Sequence, residues 1–311
     1  MSTEGKTRYP IVGVHGMAGF GDIAGLDYFY RVEEAIAEVG GDFYSPSYGA
    51  AGSTEDLGEN LIKELEALRL ETGSDKFNLI GHSQGGLVSR YVMNMREDLV
   101  ASVTTIGTPH YGTALADVVK RSPAQAAVIA FGNVLAFLLN SLACLTNQRE
   151  DAMGIMDSLT TEGTRDFNRR FPAGTRPGPF REPPRVRISP WWQWWNKVYA
   201  TDYSVNDGSH EYRGIKLFSF GSYYNPTDLL DINLLDAADP VLAAGSIFHG
   251  GKQNDGFVAR ESMSFGKVVQ DDLVGNHADQ INGMLGWKGV DTADWLAVYS
   301  DHAIRLQRAG C

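Results

Sequence analysis

Gly81-His82-Ser83-Gln84-Gly85 is the stretch of this chain whose residue types and spacing can do chemistry. An apolar run from Phe77 to Ile80 leads into it, and Val88, Tyr91, Val92 and Met95 recur at helical spacing after it. The five residues must therefore turn the chain sharply from a buried strand into a helix, the form of a nucleophile elbow. A serine at such an apex carries strained backbone angles that push its hydroxyl outward, and Gly81 and Gly85 must lack side chains because strand and helix pass so close. The helix start beneath it also offers unpaired N–H groups to a developing negative charge. A plain structural turn is the competing reading, and the strand before and helix after the motif favour the nucleophile.

A serine nucleophile needs a base to take its proton and an acid to hold that base in the right tautomer, and behind an elbow of this kind they follow in the order Ser, Asp, His. Asp255 and His277 meet that order after Ser83. Asp255 lies in Asn254-Asp255-Gly256, which alone would be read as a turn. His210, His249 and His302 compete as bases. His302 falls in a helical pattern and reads as a surface residue, His210 lies in a polar loop, and His249 precedes the best acid. His15 and His110 sit beside glycine-rich turns, where a structural hydrogen bond is expected, and His82 is held within the elbow. Asp228, Asp231, Asp236 and Asp239 also precede His277, so order alone does not select Asp255.

The elements that must position these residues alternate. Tyr9 to Val14 reads as a strand ending in the glycine-dense His15-Gly16-Met17-Ala18-Gly19-Phe20-Gly21, a loop able to supply a second oxyanion donor. Phe29, Val32, Ile36 and Val39 share a helical face stopped by Gly40-Gly41, and Phe43 to Pro46 makes a brief strand. Ser53-Thr54 with Glu55 and Asp56 announces the next helix, whose stripe is Leu57, Leu61, Leu65 and Leu68 and whose end is Gly73. Val100 to Ile106 and Leu217 to Phe220 return to strand character, Ser158-Leu159-Thr160-Thr161-Glu162 reads as a capped helix start leading through Phe167 to Pro172, Asp271 to Asp279 reads as a polar loop, and Trp295, Val298, His302 and Leu306 mark a final helix. Strand and helix in this rhythm mean an α/β protein with a parallel sheet and crossover helices.

With 311 residues, 43% of them hydrophobic, and no dividing linker, the chain reads as one domain, 1–311. A formal net charge of −11 without a basic run argues against a nucleic-acid partner. Only Cys144 and Cys311 are cysteines, so no disulfide framework is implied. The first residues lack the apolar core of a signal peptide, which leaves a cytoplasmic protein, export by another route, or a chain starting at its mature end. Ala124 to Leu145 holds no charged residue. Gln125, Gly132, Asn133, Asn140 and Ser141 speak against an integral membrane span, and a mobile cap over the site, about residues 113–160, is favoured over a buried helix pair. After the Pro-, Gly- and Arg-rich excursion from Pro172 to Pro190 comes Trp191-Trp192-Gln193-Trp194-Trp195. A lipid anchor or sugar platform competes there with simple packing, and packing is expected.

Tyr9-Pro10-Ile11-Val12 through His15-Gly16-Met17, Gly81 to Gly86, Gln253-Asn254-Asp255-Gly256 and the His277 loop together resemble the Pseudomonas and Burkholderia type of bacterial triacylglycerol lipase, nearest its shorter Proteus-like branch. The resemblance runs from Tyr9 to Leu306 and is weakest between Pro172 and Tyr212. It implies an α/β-hydrolase fold, a mostly parallel central sheet flanked by helices with a helical lid. It implies Ser83 as nucleophile, His277 as base, Asp255 as its partner, and the N–H groups of Met17 and Gln84 as the oxyanion hole. It also implies one structural calcium ion, Ca2+, held by Asp236, Asp279 and the carbonyls of Gly283 and Trp287; hard oxygen ligands suit that ion. A solvated loop acid is the alternative for Asp279. The expected enzyme is a secreted monomer that needs no dedicated foldase and meets its ester substrate at a lipid–water interface. Two positions depart from the family. Gly13 stands where a larger aliphatic residue is usual and is expected to loosen the packing, and Gly283 replaces a glutamine, which spares the carbonyl but is expected to soften the ion site.

Overall fold

Alternation along buried strands builds the core of this protein. In the computed structural model, residues 3–17, 22–23, 26–49, 52–121, 152–204, 208–224, 239–283, 286, 288 and 291–311 are described. The strands are β1 (Ile11–Val14), β2 (Asp22–Ile23), β3 (Leu26–Asp27), β4 (Phe43–Tyr44), β5 (Phe77–His82), β6 (Val100–Ile106), β7 (Arg185–Arg187), β8 (Tyr199–Thr201), β9 (Glu211–Tyr212), β10 (Ile215–Tyr223) and β11 (Lys267–Val274). The helices are α1 (Val32–Glu38), α2 (Thr54–Thr72), α3 (Gln84–Met95), α4 (Ala114–Arg121), α5 (Ala152–Leu159), α6 (Thr161–Arg170), α7 (Asp239–Ser246) and α8 (Trp295–Arg308).

The main sheet runs β4-β1-β5-β6-β10-β11 with every neighbouring pair parallel, and β9 adds antiparallel to β10. Successive strand residues face opposite sides, so Val12 and Leu79 enter one core with Leu61 and Leu87, while Ile11 and Ile80 enter the other with Phe29 and Leu306. The first core lies under α2 and α3, the second under α1 and α8. Because the strands are parallel, their carboxyl ends share one edge, where α/β sheets place their ligands.

Local signals account for the helix boundaries. The Ser53 side chain accepts from the N–H of Asp56 (3.1 Å) at the start of α2, and Gly73 ends that helix in the left-handed conformation, φ 69°. Thr160 caps α6 by accepting from the Gly163 N–H.

Several expectations are corrected. His302 is buried, not a surface residue. Its Nε2–H donates to Thr104 Oγ1 (2.7 Å), and the Phe218 and Phe220 rings meet it edge-on. Asp271 to Val274 is not loop but the end of β11; Asp271 is admitted to the interior because Arg260 pairs with it at 2.7 Å. Gly13 does not loosen the packing, since the Phe29 and Phe43 rings fill its place and a Cβ there would fall 2.5 Å from Phe43 Cζ. The Trp191 to Trp195 cluster does not pack inward: its four indoles stand exposed at the tip of the β7–β8 hairpin, an element absent from the sequence reading. Residues 122–151, and with them the Ala124 to Leu145 run, lie outside the described residues; no described helix is long and apolar enough to cross a membrane.

Candidate active site

Ser83 is the single residue between β5 and α3, with φ 55° and ψ −129°. Non-glycine residues avoid such angles, and they persist only where the surroundings over-determine them. Here the Ser83 N–H donates to the Ile106 carbonyl (2.9 Å) and its own carbonyl accepts from the Gly86 N–H (3.1 Å). Close approach explains the neighbouring glycines. A Cβ on Gly81 would sit 2.5 Å from the Gly85 carbonyl oxygen, and one on Gly85 would sit 2.1 Å from the Val14 carbonyl oxygen.

The loop after β1 presses on the same point. A Cβ on Gly16 would fall 2.8 Å from the Ser83 Cβ, and the Gly16 N–H donates to Tyr28 Oη (3.0 Å). The His15 ring lies flat on Tyr48 at 4.0 Å, Tyr48 donates to the His15 carbonyl, and His15 Nδ1–H donates to the Gly16 carbonyl (3.0 Å). Met17 is buried at the end of this bracing. Among the described residues, neither the Met17 nor the Gln84 N–H has a backbone acceptor.

His277 and Asp255 come together from two loops beyond the sheet edge. His277 Nδ1–H donates to Asp255 Oδ2 at 2.6 Å, and the His277 N–H donates to the Asp255 carbonyl at 2.8 Å. The other ring nitrogen, Nε2, is buried and has no hydrogen-bond partner among the described residues. Asp255 Oδ1 accepts from the N–H groups of Phe257 (3.0 Å) and Val258 (2.7 Å), an Asx turn that uses the positive φ of Gly256. The turn signal at Asn254-Asp255-Gly256 and the acid are thus one feature.

A polar relay ties these pieces into one unit. Tyr28 Oη donates to His82 Nδ1 (2.7 Å), and His82 Nε2–H is shared between the His277 carbonyl (3.1 Å) and Gln280 Oε1 (3.0 Å). The Gln280 amide in turn donates to Asp255 Oδ2 and Ser222 Oγ, both at 2.7 Å. His82 is held neutral, well below the usual histidine range, by burial and then by the nearby His277. Sequence reasoning found His82 but no partner for it, and it missed Tyr28, Ser222 and Gln280. No periodicity marks Gln280; its place three residues after His277 is the only trace in the sequence. His110 takes the structural role expected of it, accepting from Arg90 at Nδ1 and donating to Thr105 Oγ1. His249 is buried close enough to feel the Asp255 charge and bonds to the Phe257 backbone, but His277 and not His249 holds the short contact to Asp255, and His210 is exposed.

Of the four residues expected around calcium, Asp236 and Trp287 lie outside the described residues. The described half suits a hard cation. Asp279 is buried rather than solvated, with Oδ2 taking the Asn276 N–H and the Thr292 hydroxyl (both 2.9 Å). The Gly283 N–H bonds back to the Ala278 carbonyl (3.0 Å), which folds the Gly283 backbone against the loop that carries His277 and Asp279, and Asn282 Oδ1 beside it is buried without a partner among the described residues. Among the described residues no group of three His, Cys, Asp or Glu side chains could hold a metal on its own.

A family model for the alpha/beta hydrolase fold matches residues 9–229. The chain is 35% identical over 311 residues to a triacylglycerol lipase of Vibrio cholerae, covering 98% of this chain and 89% of that one. It is 34% identical over 325 residues to a triacylglycerol lipase of Pseudarthrobacter phenanthrenivorans, covering 99% of each. The crystal structure of mature Bacillus licheniformis lipase BlEst2 shares the fold at a TM-score of 0.57, with 19% identity over 87% of this chain and 85% of that one.

Burial favours the neutral form of five histidines in the fold: His82, His110 and His302 lie well below their usual range, His15 is lowered to about 4, and His249 is lowered as well. The unfolded chain binds a proton on each near pH 6.5, so below that pH it binds more protons than the folded chain and stability falls. Each histidine adds up to about 1.4 kcal/mol of loss per pH unit below that point. Urea unfolding midpoints should drop steeply from pH 7 to pH 5; a flat profile would contradict the buried neutral assignment.

Proposed function

Because the chain belongs to the alpha/beta hydrolase family, we propose that it cleaves the carboxylic esters of triacylglycerols through an acyl-enzyme. The observation that carries this reading is the His277–Asp255 contact of 2.6 Å with His277 Nε2 buried and unpaired among the described residues, on a ring whose centroid lies 4.7 Å from that of the tilted His82 ring, the residue that precedes Ser83.

Ser83 Oγ attacks the ester carbonyl while His277 Nε2 takes its proton. Asp255 holds Nδ1–H, fixing the tautomer in which Nε2 is basic, and stabilises the imidazolium that forms. The N–H groups of Met17 and Gln84 receive the charge that develops on the carbonyl oxygen. His277 then returns the proton to the departing alkoxide, and a water activated by the same nitrogen hydrolyses the acyl-enzyme. Gln280 acts behind this step, holding the Asp255 oxygen that His277 uses. Being a neutral amide, it leaves the carboxylate as the only negative charge on the imidazole.

The proposed substrates are triacylglycerols of medium or long acyl chains, met at a lipid–water interface by a secreted monomer whose lid is formed by residues 113–160. Calcium would be held by Asp236, Asp279 and the carbonyls of Gly283 and Trp287. When bound, it supplies a rigid clamp on the loop that carries His277.

Ser83→Ala should lose nearly all hydrolysis of emulsified triolein and of p-nitrophenyl butyrate, and should lose labelling by a fluorophosphonate, with its melting temperature kept. Wild-type rates in that variant would refute the assignment, and preference for the soluble ester over the emulsion would make the enzyme a short-chain esterase. Gln280→Leu strips partners from His82 and Asp255 together; kcat should fall by roughly 10- to 100-fold with little change in KM, whereas an unaltered kcat would remove Gln280 from the mechanism. A chelator should lower the melting temperature and excess calcium should restore it; indifference to chelation would discard the calcium site.

A further inference from the structure

The described structure tucks most of its large apolar side chains away and leaves one hairpin conspicuously bare. Trp191, Trp192, Trp194 and Trp195 are exposed at 80%, 58%, 72% and 69%, and Ile188 beside them at 62%. A cluster of large apolar side chains left exposed within a few residues of one another marks a place where something else docks.

The exposure is built in. β7 and β8 pair antiparallel from Arg185 opposite Thr201 to Arg187 opposite Tyr199, and the Ile188 N–H donates to the Val198 carbonyl (2.9 Å). At the tip the Gln193 N–H donates to the Pro190 carbonyl and the Asn196 N–H to the Gln193 carbonyl, both at 3.0 Å. The Arg187 guanidinium fastens these two turns by donating to the carbonyls of Pro190 (3.1 Å) and Gln193 (2.8 Å). The base of the hairpin is moored to the sheet through Thr201 Oγ1 and Asp272 Oδ2 on β11 (3.0 Å). These turns and the Arg187 bonds hold the tip in shape without burying the indoles. The rings pair edge to face, Trp191 with Trp192 at 5.9 Å and Trp194 with Trp195 at 5.7 Å.

Charge identifies the occupant. Between Arg181 and Tyr199 the chain carries Arg181, Arg185, Arg187 and Lys197 against the single acid Glu182, in a protein of formal net charge −11. A basic segment with tryptophans at its tip matches an anionic lipid surface. Indoles settle at headgroup depth with their N–H in the polar layer, and the cations lie against phosphates. A second copy of this acidic chain offers no such match.

We infer that the β7–β8 hairpin is a lipid-surface anchor, in which the four tryptophans enter the headgroup region of an anionic lipid surface and Arg185 and Lys197 bind its phosphates. This deepens the proposed function, from which it takes the lipid nature of the occupant.

The test uses the full chain carrying Ser83→Ala, so that no hydrolysis alters the vesicles. With phosphatidylcholine vesicles containing phosphatidylglycerol, tryptophan emission should shift to the blue and be quenched by brominated acyl chains, and added salt should weaken binding. Replacing all four tryptophans with glutamine should cut vesicle partition by about tenfold or more. The same four replacements made with Ser83 intact should leave hydrolysis of p-nitrophenyl butyrate unchanged, showing that the fold survives. Equal partition of both chains, absence of bromine quenching, or a dimer of the parent chain that the replacements dissociate would overturn the anchor. Failure to hydrolyse emulsified triolein alongside retained tryptophan-dependent vesicle binding would instead refute the proposed function and leave the anchor standing.

Discussion

The nearness of β5 to α3 is the constraint on which the rest of the site depends. Ser83 occupies backbone angles that cost on the order of 1–3 kcal/mol in a non-glycine residue, and it stays there because the packing leaves no alternative. The Val14 carbonyl stands where a Gly85 side chain would be, and the Gly85 carbonyl stands where a Gly81 side chain would be. The same closeness brings the loop after β1 onto the serine, since Gly16 has room for no side chain between Ser83 and Tyr28. One steric fact thus sets the serine conformation, the helix start and the position of the Met17 loop together. The parallel sheet makes the arrangement affordable: β1, β5 and β6 all end at this edge, and each receives hydrogen bonds from its neighbours up to the last residue before the turn.

Packing alone would leave the polar groups of such an edge unsatisfied, and the relay through Tyr28, His82 and Gln280 answers that problem. Three of its members have both a donor and an acceptor engaged, so burial fixes hydrogen positions as well as heavy atoms. His82 must donate from Nε2, because a carbonyl and an amide oxygen face it there, and must accept at Nδ1 from Tyr28. Gln280 must then turn its amide nitrogen toward Asp255. The orientation of the carboxylate beside His277 is in this way coupled to the loop that holds Gly16, although the two lie far apart in the chain.

Much of this was legible in the sequence, and the residues show why. Ser83, Asp255 and His277 carry motifs because turns and strand ends impose local rules: glycine where backbones touch, Asx geometry where an acid must be held. The α2 cap at Ser53 and the stop at Gly73 were readable for the same reason. What escaped was decided by contacts distant in sequence. His302 looks like a surface residue until Thr104, on a strand nearly two hundred residues earlier, is seen to accept its proton. Asp271 looks like loop until Arg260 neutralises it inside a strand. Gly13 looks like a missing side chain until two phenylalanines, from α1's approach and from β4, are found in its place. Composition records none of these, because each is a complementarity between partners that periodicity does not register.

The tryptophan cluster failed to follow its expected pattern for a different reason, and the reason bears on how the molecule divides its surfaces. Packing was the natural expectation because an indole gains so much by leaving water. That gain requires a neighbouring apolar surface, and Arg187 instead spends its hydrogen bonds on the carbonyls of the tip, holding the turn in a form that offers its indoles to the outside. At the sheet edge the opposite holds: Tyr28, His82, Gln280 and Asp255 are drawn inward and matched one to the next, while among the described residues His277 Nε2 is left unpaired. A buried polar relay holds reacting groups still, and an exposed apolar tip leaves its interaction energy available for a partner. The two arrangements are complementary uses of the same rule, that an interaction left unmade within the chain is available to whatever the chain meets.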